Sequence, residues 1–169
     1  MMVKLSKMSK IDKWIGVFFV VLGLLITSCS NNSELKFMGK NLSAPCEEFE
    51  KHLEKKGFKH SNEYGYDKFE GIYLGEEVSI VLEGEKNGHY THLTIIFGSS
   101  DMEKSKKYYD KICKEIEKEH NGFKKRDKVE DDKNLQKKEY YNEKGKDITI
   151  VCGNIAIVTM VCATFESEV

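Results

Sequence analysis

The sequence lacks the motifs of the common catalytic classes. It has no glycine-rich phosphate loop, no G-x-S-x-G nucleophile elbow and no cysteine–histidine pair in a nucleophile context. No two histidines have the spacing typical of metal ligands; the five are His52, His60, His89, His92 and His120. These absences argue against an enzyme, against a metal site and against a cofactor.

Two further features are missing, an excess of basic charge and a long apolar run. The chain has 27 Lys+Arg and 28 Asp+Glu, which argues against nucleic acid as a partner. Its longest apolar run, residues 14–26, has thirteen residues, whereas a membrane-spanning helix needs about 20. Thirteen residues is the length of a signal-peptide core, and four lysines precede it: Lys4, Lys7, Lys10 and Lys13.

Directly after this run the sequence reads Ile26, Thr27, Ser28 and Cys29. This order resembles the lipobox of bacterial lipoproteins, in which a branched apolar residue and two small residues precede the lipid-modified cysteine. The resemblance implies cleavage before Cys29, a diacylglycerol on its thiol and further acylation of its amine. The alternatives are an ordinary secretory signal and an uncleaved membrane helix.

The lipoprotein interpretation places the protein in the cell envelope. Several acyl chains anchor a protein stably to a membrane where a single chain is marginal. Ser30 is not the aspartate that retains such proteins in an inner membrane. In a Gram-negative cell the resemblance therefore implies the outer membrane, with the domain facing the periplasm.

Cleavage would leave a single domain. Removing residues 1–28 from the 169 leaves 141, which is enough chain for one core. The lost segment carries four lysines and Asp12, so 23 basic and 27 acidic residues remain, a net charge of −4. Residues 29–36 are interpreted as a lipidated tether and residues 37–169 as the domain. The only tryptophan, Trp14, is lost with the signal, which weakens a glycan-binding interpretation.

Two helices are predicted. The first begins with Ser43 as the expected N-cap and Pro45 in the first turn. Its apolar stripe is formed by Cys46, Phe49 and Leu53. It is expected to end at Lys56-Gly57-Phe58. The second covers residues 101–120, and its stop at Gly122-Phe123 repeats that of the first. Its predicted inward residues are Tyr109, Ile112, Cys113 and Ile116.

Three strands between the helices have a register that the sequence predicts. A two-residue turn at Asn87-Gly88 pairs Leu82 with Leu93 and Ile80 with Ile95. A turn at Gly75-Glu76 pairs Tyr73 with Val78. All of these then share one face, which is the core face. The opposite face carries mainly polar residues, interrupted by Ile72, Val81 and Ile96.

After the second helix the pattern repeats, with turns at Lys144-Gly145 and Gly153-Asn154. A helix followed by four strands thus occurs twice, in half-repeats at about 37–100 and 101–169, and indicates a tandem duplication. The predicted fold class is α+β, with an antiparallel sheet backed by two helices.

Two resemblances bear on this fold. Residues 37–39 with Leu42, Phe49, Leu53 and the Lys56-Gly57-Phe58 stop resemble the opening of a group of small exported lipoproteins of unknown function. The doubled order of elements is similar to the β-lactamase inhibitor protein fold, in which a concave sheet face grips another protein. That likeness is one of architecture alone and implies no role for any residue.

The domain has four cysteines, Cys46, Cys113, Cys152 and Cys162, in an oxidising compartment, so at least one disulfide is expected. A turn at Gly153-Asn154 would hold Cys152 and Cys162 too far apart to be bonded. Cys113 and Cys152 both face the predicted core, and a Cys113–Cys152 disulfide is therefore preferred. The alternative is that all four remain reduced.

The preferred function is a lipid-anchored, non-catalytic module for protein binding or assembly. Its predicted binding face carries Ile72, Val81, His92 and Ile96, unless a tail or neighbouring strand covers them. The alternative is a binding protein for an envelope glycan or lipid that uses Tyr64, Tyr66, Tyr140 and Tyr141. A hydrolase or redox enzyme is the least favoured.

Overall fold

The computed structural model describes residues 34–61, 67–126, 135–155 and 158–167. Cys29 and its lipobox, Tyr64 and Tyr66 lie outside the described residues. The helices are α1 (Cys46–Lys55) and α2 (Met102–Glu119). The strands are β1 (Lys36–Phe37), β2 (Lys40–Asn41), β3 (Lys59–Ser61), β4 (Asp67–Tyr73), β5 (Glu76–Lys86), β6 (His89–Ser99), β7 (Lys124–Arg126), β8 (Leu135–Tyr141), β9 (Lys146–Ile155) and β10 (Val158–Ser167).

The fold is α+β, as predicted. Strands β3 to β10 form an eight-stranded antiparallel sheet in the order β3-β4-β5-β6-β10-β9-β8-β7, and β1 with β2 forms a small second sheet. Each half of the chain contributes a helix and then a four-stranded meander, so the predicted repeat in element order is present. The last strands of the two meanders, β6 and β10, pair with each other and join the halves.

Both helices pack on one face of the sheet, which is called the inner face. Phe97 of β6 lies 4.4 Å from Tyr108 of α2, measured between ring centroids. The β1–β2 pair packs on the same side, since the Phe37 ring contacts Phe165 of β10 at 6.0 Å. The core lies between these layers, and its residues on the large sheet are Phe69, Tyr73, Val78, Ile80, Leu82, Tyr90, Leu93, Ile95, Phe97, Tyr140, Ile148, Ile150, Cys152, Val161, Ala163 and Phe165.

Helix α1 ends as predicted but begins differently. The amide of Phe58 donates to the Leu53 carbonyl, the amide of Gly57 donates to the Glu54 carbonyl, and Gly57 has a φ of 93°, which together make a Schellman motif. Ser43 is not the N-cap; Pro45 is, and no side chain caps the helix. The fixed φ of proline already suits this position, and the Pro45 carbonyl accepts from Glu48 and Phe49.

The stop of α2 is not a second copy of this motif. Asp101 caps the start, where its carboxylate accepts from the amides of Glu103 and Lys104. At the other end, Gly122 is not among the residues with positive φ, and the turn closes when the Phe123 amide donates to the His120 carbonyl.

The β5–β6 register is confirmed and the β4–β5 register is wrong by two residues. Asn87 and Gly88 both have positive φ, and Leu82 pairs with Leu93. The other turn lies at Leu74-Gly75, so Tyr73 pairs with Glu76 instead of Val78. Because side chains alternate with a period of two, this shift left the predicted faces unchanged.

The predicted turn at Gly153-Asn154 is also wrong, because β9 continues through both residues to Ile155. The Asn154 side chain accepts a hydrogen bond from Thr159 Oγ1 at 2.7 Å, which holds Asn154 in the strand pair. Cys152 and Cys162 are therefore close along the pair, opposite Val161 and Val151 respectively. A disulfide between them is still unfavourable because they lie on opposite faces of the sheet.

Candidate functional site

The four predicted binding residues all lie on the outer face of the sheet, the face opposite the helices. Ile72 is 58% exposed, whereas Val81, His92 and Ile96 are half-buried among their neighbours. Among the described residues, every element outside the sheet packs on the inner face, through contacts such as Glu50 to Tyr90 for α1. No described element therefore covers the outer face.

Ile96 belongs to an apolar patch that crosses the join between the halves. It lies opposite Cys162 of β10, and Cys162 lies opposite Val151 of β9. One step along the strands, Met160 lies between Gly98 and Gly153. The apolar patch is defined as Ile96, Met160, Cys162 and Val151; the two glycines beside Met160 add no side chains to it.

A row of threonines follows the apolar patch along the strands. Thr164 of β10 lies between Thr94 of β6 and Thr149 of β9. The hydroxyls of Thr94 and Thr164 are 3.3 Å apart and share a hydrogen bond. Val81 of β5 continues the row beyond Thr94. This part of the outer face is uncharged.

Beyond the threonines lies an acidic row, defined as Glu83, His92, Glu166 and Asp147. These residues follow one another as direct cross-strand neighbours on β5, β6, β10 and β9. None of the three carboxylates forms an ion pair with a described residue, whereas nearby Glu139 pairs with Lys137 at 2.7 Å. Like charges placed directly opposite each other destabilise a sheet, so the Glu166–Asp147 pair has a local cost.

Ile72 lies away from this centre, where it borders two cavities. One, of about 590 Å³, lies on the outer face and is lined by Ile72, Glu77, Ser79, Ile96 and Gly98 among others. The second, of about 520 Å³, lies beside the turns after β1 and β4 and includes Met38, Leu74 and Glu119. Ile72 is thus an exposed apolar side chain at the rim of the same face.

Sequence reasoning missed a cluster around Tyr90. This buried phenol on the inner face lies 2.6 Å from Glu50 Oε1 of α1 and 2.9 Å from Asp67 Oδ2 of β4. His60 Nε2 contacts the other Asp67 oxygen at 3.2 Å. Burial, and hydrogen bonds to the two carboxylates, raise the pKa of Tyr90, so the phenol remains a proton donor. The residues come from four elements, and no local sequence signal connects them.

The four domain cysteines are free thiols in the structure. Burial raises the pKa of both the Cys113 and the Cys152 thiol, and each of the two is buried between α2 and the sheet. The Cys113–Cys152 disulfide stays a prediction.

Of the four predicted tyrosines, the structure describes Tyr140 and Tyr141, which lie on opposite faces of the sheet. Tyr140 is buried on the inner face and donates to Glu117 Oε1 at 2.9 Å. Tyr141 lies on the outer face, where its ring contacts Arg126 at 4.6 Å. No described group of three His, Cys, Asp or Glu side chains has the geometry of a metal site.

A comparison of the chain with protein-family models, with curated proteins and with solved structures found no match. Neither α1 nor α2, the helices of the described part, is long and apolar enough to span a membrane.

Proposed function

We propose that this chain is a lipid-anchored lipoprotein of the cell envelope, held to the membrane through Cys29, and that its outer sheet face binds another protein without catalysis. The observation that supports it most directly is the apolar patch, which lies at the centre of a broad sheet face and is covered by no described element. Uncovered apolar surface of this kind is typical of interaction sites.

The position of the patch adds support. It lies on β6, β10 and β9, each of which has a hydrogen-bonded strand on both sides. The inner face beneath it is fully packed, with Ile95, Ile150 and Val161 almost inaccessible to solvent. Side chains on such a scaffold have nearly fixed positions, so ordering them when a partner binds costs little conformational entropy.

Photocrosslinking in cells tests the proposed function. A photoreactive residue replaces Ile96 or Val81 in the full-length protein, and the matched control carries it at Lys107, which is 77% exposed on α2. We expect a discrete protein adduct from positions 96 and 81 and none from position 107. The proposal fails if the outer-face positions give no adduct, or only the adducts that the control gives.

A further inference from the structure

We propose that the protein partner presents a row of lysine or arginine side chains beside an apolar ridge, and that the acidic row binds this basic row while the apolar patch binds the ridge. This inference rests on the proposed function, because it assigns the chemistry of the partner for the same face.

The two parts of the face have a fixed separation. His92 marks the acidic row and Ile96 the apolar patch, four residues apart on the same strand. At about 3.4 Å per residue in an antiparallel strand, the two rows are ~14 Å apart, with the threonine row between them. A complementary partner therefore carries its cationic groups ~14 Å from its apolar ridge.

The charges of the acidic row are available for a partner. Glu83, Asp147 and Glu166 are exposed and have no ion-pair partner among the described residues. Glu139 on the same face differs, because Lys137 and Arg126 already compensate it. Three carboxylates close together attract a basic partner and accelerate its association.

The same charges disfavour two of the ways in which a second copy of this chain could cover the outer face. Two outer faces that meet around a twofold axis along the strands would place one acidic row against the other. An axis across the strands at the threonine row would instead place each acidic row against an apolar patch. The first arrangement sets like charges in contact and the second desolvates unpaired carboxylates, so each opposes association. Repulsion between like charges would also keep an anionic lipid surface away from the acidic row.

The test combines the Ile96 photoprobe with removal of charge. The variant carries three substitutions in one full-length chain: Glu83→Gln, Asp147→Asn and Glu166→Gln. The matched control removes three exposed carboxylates on the helices: Glu47→Gln, Glu54→Gln and Glu103→Gln. Membranes from cells that express each protein are crosslinked at about 50 mM and about 500 mM NaCl, conditions with very different screening lengths.

We expect the protein adduct at position 96 to fall about fivefold or more in the triple outer-face variant, and by a similar factor in the wild type at high salt. The helix control should match the wild type. Circular dichroism of both variants verifies folding, and a Glu166→Gln single variant, which should show a partial loss, replaces the triple variant if that does not fold.

The outcomes separate the two proposals. No adduct from the wild-type face at either salt concentration overturns the proposed function. An adduct that resists both salt and charge removal overturns only the basic partner. An adduct with lipid, or with a second copy of this chain, overturns the basic partner as well.

Discussion

Ile96 of β6 lies directly opposite Cys162 of β10, at the join between the two halves of the chain. The residue before it, Ile95, lies opposite Ala163 on the inner face and is 1% exposed. Two adjacent isoleucines thus stand on the two faces of the same strand, one in the core and one in the apolar patch. Substituting one isoleucine or the other therefore distinguishes an effect on the stability of the fold from an effect on the proposed binding.

Replacing each isoleucine with alanine should therefore have different effects. Ile95→Ala leaves a cavity in a packed core and should lower the free energy of unfolding by about 2–5 kcal/mol. Ile96→Ala should cost roughly 1 kcal/mol or less, because its side chain is already partly hydrated. Equilibrium urea unfolding measures both. Equal losses would contradict the assignment of Ile96 to an uncovered face.

Gly71 of β4 should not tolerate a side chain. A Cβ there would lie 2.6 Å from Phe58 Cδ1 and 3.1 Å from Phe58 Cα, and backbone cannot move aside as a side-chain end does. Gly71→Ala should lower the free energy of unfolding by about 1–3 kcal/mol. The control is Ser79→Ala, on the outer face of the neighbouring strand, which should have little effect. If both variants unfold at the same urea concentration, the close approach of Phe58 is wrong.

The sequence predicted which face of the sheet a side chain occupies better than it predicted which residues pair across the strands. The alternation of polar and apolar residues predicted which side chains face outward, including Ile72, Val81, His92 and Ile96. The predicted faces are correct even though the turn lies at Leu74-Gly75 and not at Gly75-Glu76. The error shifts the pairing by two residues, and a shift of two leaves every side chain on the same face. Helix α2 stabilises that turn: Tyr108 Oη donates to the Tyr73 carbonyl at 3.3 Å, and Lys111 Nζ donates to the Leu74 carbonyl at 3.3 Å. Local turn preferences cannot predict contacts with a helix that lies elsewhere in the chain.

The arrangement of the outer face into rows could not be predicted. It depends on the pairing of β6 with β10, where Ile96 and Cys162 meet from positions 66 residues apart in the chain. No turn fixes that register. It follows from the joint packing of the two meanders against α2, which only the folded chain contains.

His120 should make stability depend on pH. Its Nε2 accepts a hydrogen bond from the Lys36 amide at 3.0 Å, and the ring is 2% exposed. Burial lowers the pKa of His120 below its usual 6.5, so the folded state binds fewer protons than the unfolded state as pH falls below that value. Stability from this source is present above about pH 6.5 and is lost as pH falls towards the lowered pKa.

Unfolding of the wild type and of His120→Gln between pH 7.5 and pH 5 isolates this contribution, because both proteins share every other titrating group. We expect the wild type to lose more stability than the variant across that interval. Parallel curves for the two proteins would show that His120 is not held neutral in the fold.

If the protein is exported as proposed, Cys113 and Cys152 should be joined, because both thiols are buried, one on α2 and one on β9, and an oxidising compartment favours the bond. Cys46 on α1 and Cys162 on the outer face are separated by the sheet and should stay free. Mass spectrometry of unreduced, alkylated protein is expected to find label on Cys46 and Cys162 only. In Cys113→Ser, label should also appear on Cys152; four labelled thiols in the wild type would rule the disulfide out.

Cys29 should determine where the protein resides. The lipobox resemblance implies that its thiol carries a diacylglycerol, and each buried methylene contributes about 0.8 kcal/mol to membrane affinity. Cys29→Ala should therefore abolish incorporation of labelled palmitate and move the protein out of the membrane fraction. Cys46→Ala is the matched control and should retain both label and membrane association, because Cys46 lies at the start of α1 within the folded domain. If the Cys29→Ala protein keeps the label and stays with the membrane, the anchor lies elsewhere; the outer-face tests above do not depend on it.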